Sequence, residues 1–411
     1  MGAMASLHRP LVLLFALLLL FSAAGAEKRW TEIEQLDFLR HHWAGPIPPQ
    51  GRPPARFTPL EASLMPESCG TCHPAQLADW QGSRHAESMG PGVKGQLVEM
   101  LGSDPVSALG CYACHAPLTE QQEKVRDRGG GLAPNRAFDA GLQARGLACP
   151  ACHVRGHERF GPPKRDGSLA SELPRERLPH YGVTRTPAFL RAEFCKECHQ
   201  FPPDGFALNG KLLENTYQEW KASPFGRSGV QCQECHMPDR RHLWRGIHDP
   251  EMVRSGLTVG VSIEQEHYRV GEVVSATLTI TNSKVGHYFP TYVTPRVVVS
   301  GELVDSSGRV LPESRQEKVI AREVTLDLSQ ERFDTRLAPG DRLTFHYRQR
   351  LPSPGLTLRL AVTVYPDHFY LGFFEGLLAS GAGKGTAQIR EALRDARNSS
   401  FTIYVHELPL T

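Results

Sequence analysis

The chain has 411 residues, with 46 basic and 44 acidic side chains and a net charge of +2. That length predicts two or three domains, and the balanced charge gives no electrostatic case for nucleic acid or an anionic membrane as partner. Recognition of other molecules has to rest on local patches.

His8 and Arg9 precede an apolar run over residues 11–21, and Ala24-Gly25-Ala26 offers a small-x-small cleavage site before Glu27. The pattern predicts a secretory leader over residues 1–26, and with it a periplasmic protein or one exported to the cell surface or extracellular space. The run is short for a membrane span and no comparable stretch follows, so no transmembrane segment is expected in the mature chain. Residues 30–44 read as a short helix ending in Arg40-His41-His42-Trp43. Pro46, Pro48, Pro49, Pro53, Pro54 and Pro59 then predict an extended arm. Residues 27–68 form this lead-in.

All ten cysteines fall in five Cys-x-x-Cys-His units: Cys69, Cys72 and His73; Cys111, Cys114 and His115; Cys149, Cys152 and His153; Cys195, Cys198 and His199; Cys232, Cys235 and His236. The spacing is the attachment signal for covalent c-type haem: two thioethers to one porphyrin, and a following histidine that reaches the iron. Random placement of the cysteines and histidines would give on the order of 0.01 such units. Zinc needs no histidine after every second cysteine, a Cys-x-x-Cys loop is too small to staple a fold, and a thioredoxin-like motif explains one pair rather than five. Five covalently attached haem c groups are expected over a domain spanning 69–254, with all ten cysteines as attachment points. Hydrophobic periodicity is weak there, so the porphyrins have to supply the core. Short helices are expected over 74–82, around 97–101 and over 214–221, with loops at 129–131 and 162–167.

Histidine on both sides of an iron gives a six-coordinate, low-spin centre suited to electron exchange, whereas an open side makes a substrate site. The spare histidines inside the haem region are His85, His157, His180, His242 and His248, and these are the candidate distal ligands. His42 and His287 stand in reserve, and His346, His368 and His406 read as structural. Met89, Met100 and Met252 are sulfur alternatives that would raise a potential.

Near residue 256 the pattern changes to strict alternation. Ala276, Leu278 and Ile280 alternate with Thr277, Thr279 and Thr281, and Leu356, Leu358, Leu360, Val362 and Val364 alternate with more polar residues. Further strands are expected over 273–281, 296–304 and 342–350, then an amphipathic helix over 386–397 and a last strand over 401–405. The fold class is thus α+β: a haem-packed domain of short helices and loops followed, over 255–411, by an antiparallel immunoglobulin-like β-sandwich.

The first unit with Trp80, Ser83 and His85-Ala86, and the later run Glu219-Trp220, Ser223, Cys232 to Pro238, His242 and His248, resemble multihaem cytochromes related to the tetrahaem electron acceptor of hydroxylamine oxidoreductase. The resemblance implies distal ligands at His85 for the haem of His199, His157 for that of His73, and His180 for that of His236. It also implies one open iron, matching the haem of His153. The chain departs from the family in its additional unit at Cys111 and in its β region. A pentahaem electron carrier serving redox partner proteins follows as the leading expectation, with no catalytic residue assigned. The alternatives are a reductase or oxidoreductase acting on a small nitrogen or sulfur compound at one five-coordinate haem, and a homo-oligomeric subunit of an extracellular filament. No unit carries the lysine that pentahaem nitrite reductases usually place after Cys-x-x-Cys.

Overall fold

A computed structural model describes residues 29–127, 129–265 and 267–410. The expected leader lies outside the described residues. The first helix, Glu32–His42, opens on a Thr31/Glu34 capping box and ends at basic residues, which suits both ends of its dipole. The proline arm does not merely cross a surface. Ile47 is buried and bridges Leu118, and Thr58 caps the single helical turn Pro59–Ala62.

Between residues 69 and 256 the chain makes short helices, and four of the five units end a helix on their histidine: Pro105–His115, Cys149–His153, Glu193–His199 and Cys232–His236. In the first unit, Pro66–Gly70 holds Cys69, Cys72 stands in the turn that follows, and Pro74 starts the next helix directly after His73. Apolar packing here is divided. One cluster joins Met89, Leu97, Leu101, Ala108 and Tyr112, another Ile47, Leu118, Leu142 and Ala151, a third Ala192, Tyr217 and Trp220. Among the described residues, no helix is long and apolar enough to cross a membrane.

Seven long strands follow: β1 (Leu257–Ile263), β2 (Val273–Asn282), β3 (Arg296–Val304), β4 (Gln316–Ile320), β5 (Arg342–Arg350), β6 (Leu356–Tyr365) and β7 (Phe401–Leu410). They form two antiparallel sheets, ordered β5-β2-β1 and β4-β3-β6-β7. Along β6 every second residue is buried, the period expected of a pleated strand with one face inward. Register sets Phe345 opposite Leu278 in one sheet and Val299 opposite Val362 in the other, and these side chains share a single core.

Two helices, His368–Ser380 and Thr386–Asn398, leave the sheets between β6 and β7. The second was expected from its apolar stripe, and Ile389, Ala392, Leu393 and Ala396 are indeed buried. Their partner is Pro91–Ser103 of the haem region rather than the sheets. A Cβ at Gly92 would lie 2.8 Å from Phe374 and one at Gly95 2.7 Å from Ile389, so a larger residue at either place would force these side chains to shift. The first helix carried no sequence signal. Its apolar residues run almost without a break and include Gly372 and Gly376, which blurs the helical period and weakens the propensity.

Candidate functional site

Four of the motif histidines, those that end a helix, turn Nδ1 toward backbone or a hydroxyl. Nδ1 lies 2.7 Å from the Ser88 carbonyl in His115, 2.8 Å from the Phe160 carbonyl in His153 and 2.7 Å from the Arg245 carbonyl in His236. A carbonyl only accepts, so these nitrogens carry the proton and Nε2 keeps its lone pair. In His199 the partner is the Tyr292 hydroxyl, at 2.8 Å.

Two imidazoles bound to opposite faces of one metal ion, at about 2 Å each, place their ring centroids roughly 6 Å apart. Among the described residues, three pairs meet this spacing. His85 and His199 are separated by 6.3 Å, His153 and His242 by 6.2 Å, and His236 and His287 by 6.3 Å with their planes only 9° apart. In His242 and His287 the other nitrogen, Nδ1, is tied to the carbonyls of Arg240 and Tyr288. Burial holds His85 at about 3 and His153, His199 and His287 at about 4. It pushes His236, His242 and His180 down as well. All of these rings are thereby kept in the neutral form that binds metal.

Sequence reasoning and structure agree in bringing His85 to His199. They part elsewhere. His287, held only in reserve, faces His236 in the place the resemblance gave to His180. The ring of His180 has His73 among its electrostatic neighbours instead, and its Nδ1 is anchored on Gly182. His242 faces His153, the unit that the resemblance left open. His157 turns Nε2 to the Gly51 carbonyl at 3.0 Å and keeps a buried Nδ1 without a partner. His248 is not brought to a motif histidine, because its Nε2 meets Asp367 at 3.0 Å. His42 stacks on Phe38 and bonds the Cys152 carbonyl. Tyr292 was missed, since nothing in its spacing relates it to a unit.

The units also touch one another through sulfur. Cys69 and Cys149 are near neighbours whose thiols influence each other's titration, as are Cys114 and Cys198, and Cys195 and Cys232. Cys152 is an electrostatic neighbour of both Cys195 and Cys198. The first unit therefore adjoins the third, the third adjoins the fourth, and the fourth meets both the second and the fifth.

The ten cysteines, equivalent by their spacing, are not equivalent in place. Eight are half-buried, whereas Cys72 and Cys235 are exposed. Cys72 shows how the local backbone sets the depth of a sulfur. It lies in the turn after Pro66–Gly70, where Thr71 and His73 are exposed beside it, and its amide is tied back to the Cys69 carbonyl at 3.2 Å. Cys69 is thereby turned inward to the third unit and Cys72 outward to solvent. Cys235 is exposed for a similar reason, one residue before the end of the short helix Cys232–His236, whose other cysteine meets the fourth unit. At both units one sulfur is half-buried and the other exposed.

These residues fit covalent haem c. Paired thiols precede histidines, four of them with Nδ1 anchored, neutral imidazoles face three of them, and beside His42 the buried donors Trp43 Nε1 and Arg155 Nη2 lack partners. Such donors suit a carboxylate, which a porphyrin carries.

The family described as cytochrome c554 and c-prime matches residues 68–154. A cytochrome c-552 from Aliarcobacter butzleri (strain RM4018) is 26% identical over 191 residues, which cover 44% of this chain and 36% of that relative. The match thus spans about a third of the relative's length. The crystal structure of a penta-heme cytochrome c552 from Thermochromatium tepidum superposes with a TM-score of 0.53 at 19% identity, over 86% of this chain and 100% of that one. These matches support a multihaem c-type cytochrome. In a cytochrome of this kind the facing imidazoles and the free Nε2 atoms would be available to hold iron.

Proposed function

We propose that the chain is an exported pentahaem c-type cytochrome that relays electrons between redox partner proteins, in the periplasm or at the cell surface. The observation that carries this reading is the two pairs of facing imidazoles within the haem region, His85 with His199 and His153 with His242, each at the spacing of one iron. When bound, haem iron supplies one-electron oxidation and reduction. The protein's part is to fix two neutral nitrogen donors on that iron so that a change of charge moves few atoms. His180, with Nδ1 anchored on Gly182 and His73 nearby, is the matching distal candidate for the first unit. Sulfur contacts from unit to unit set the attachment points side by side, and short separations favour electron hopping along a connected set. The outward sulfurs of the first and fifth units, Cys72 and Cys235, support these two as the places where electrons enter and leave. The strand orders β1-β2-β5 and β4-β3-β6-β7 support reading the sheets as an immunoglobulin-like sandwich. The resemblance to the electron acceptor of hydroxylamine oxidoreductase supports a carrier in the same sense.

One observation favours the enzymatic alternative. Among the described residues, no imidazole is in ring contact with His115 or His73, and of the two only His73 has a histidine neighbour, His180, to serve it, so chemistry on a small nitrogen or sulfur compound would take place at the unit of His115. Mass spectrometry of the denatured protein, with paramagnetic resonance and optical spectra of the oxidised protein, separates the readings. The relay is expected to carry five haems, predominantly low-spin. Fewer than five haems would overturn the pentahaem reading, and a high-spin component that binds cyanide or nitrite rapidly would transfer the function to the enzyme.

A further inference from the structure

Residues 283–295 join β2 to β3, and part of this connection leaves the sheets and enters the haem region. His287 presents its ring to His236, centroids 6.3 Å apart and planes within 9°. Five residues on, the Tyr292 hydroxyl lies 2.8 Å from Nδ1 of His199. We propose that this loop of the β region completes two iron centres of the relay: His287 is the distal ligand at the unit of His236, and Tyr292 is the positioning residue that sets the proximal His199. The proposal rests on the relay reading, because it requires haem at both units.

The loop is held from both sides. Asn282, buried at the end of β2, donates to the carbonyls of His287 and Leu337, each at 3.0 Å, and its Oδ1 accepts from Val285 at 3.1 Å. From the haem region, Glu219 accepts from the Tyr288 amide at 3.2 Å and the Thr291 hydroxyl at 2.8 Å. The same carboxylate meets Arg336 of the β region at 2.9 Å, and the two side chains are only 3% and 4% exposed. Arg336 in turn donates to the Thr291 carbonyl at 2.8 Å. A charge pair with one member on each region thus clamps the backbone on either side of Phe289-Pro290. With its backbone fixed and its Nδ1 on the Tyr288 carbonyl, His287 has Nε2 directed at its task before any metal arrives. Donor groups held in this way lose little freedom on binding.

Tyr292 makes the fourth unit chemically distinct. His115, His153 and His236 donate Nδ1–H to backbone carbonyls, whereas His199 meets a neutral phenol oxygen, a weaker acceptor. The hydrogen bond at Nδ1 governs how strongly Nε2 donates to a metal, so Tyr292 tunes one potential.

The test uses the full-length, haem-loaded protein. In His287→Ala one low-spin signal should become high-spin while the others keep their positions, and added imidazole should restore it. His287→Met should stay low-spin and raise a single potential, which keeps the test alive if the alanine variant loads poorly. Tyr292→Phe should retain every haem and move one potential upward, since Nδ1 loses its acceptor. Spectra and potentials of the His287 variants identical to the parent would overturn the ligand assignment, and an unmoved potential in Tyr292→Phe would overturn the positioning role. Failure of the relay reading itself would appear in the unmutated protein, as fewer than five haems.

Discussion

In the β region Leu278, Val297, Leu358 and Leu360 expose none of their surface and belong to one continuous core drawn from both sheets. In the region of the five units, buried apolar groups fall into small separate clusters, and many of the deep positions go to imidazoles kept neutral by burial. Desolvating a titratable ring without a partner is costly, so a chain that places so many of them inside relies on something else to occupy the interior. The difference shows two ways of making a core: side chains that pack on one another, and side chains arranged to receive a prosthetic group.

Withholding haem should break the comparison most widely. The full chain produced without covalent attachment should lose the helical circular dichroism and cooperative unfolding of residues 69–254 while keeping the β-type signal. Helix content equal to that of the loaded protein would show that the short helices pack unaided. Next in size is the seam. Arg336→Ala leaves the Glu219 carboxylate buried without its charge partner, and breaking a pair of this kind costs about 3–5 kcal/mol. Denaturant unfolding measures it, and a cost near that of an exposed pair would mean that the two regions are not joined there. The last effect is a slope with pH, spread over several pH units and not felt at any single one. Burial raises the Glu214 carboxyl from 4.5 to about 8, so its contribution to stability is complete below pH 4.5 and is lost as pH rises through about 8. Glu214→Gln should flatten stability between those limits, and a profile parallel to the parent's would clear Glu214 of the role.

The β region was legible because alternation and turn residues are local signals: Leu356–Tyr365 forms over the range that alternation marks, and Arg296–Val304 and Arg342–Arg350 form over β-rich runs set apart by turns. The five units were legible because covalent chemistry demands fixed spacing, although spacing says nothing of depth and so could not set Cys72 apart from Cys69. What faces the units was only partly legible. His85 follows its own unit at a recognisable distance, yet the ring that it meets belongs to His199, 114 residues further on (199 − 85). His287 and Tyr292 lie beyond the haem region in sequence, and no spacing rule reaches across a change of architecture. Helix His368–Ser380 was hidden for a different reason, because it is apolar on too many sides to show a period.

The sulfur contacts between units bear on how the molecule can be made. Neighbouring thiols, such as Cys69 with Cys149 or Cys195 with Cys232, can be oxidised to a disulfide before haem is attached, and each such cross-link would consume an attachment point in two units at once. The finished architecture is therefore a hazardous place in which to begin maturation. Attaching the haem of one unit before its neighbour is brought alongside would avoid that route. A chain that closes too early would carry bridges between units in place of haem, a dead end that reduction alone could reverse.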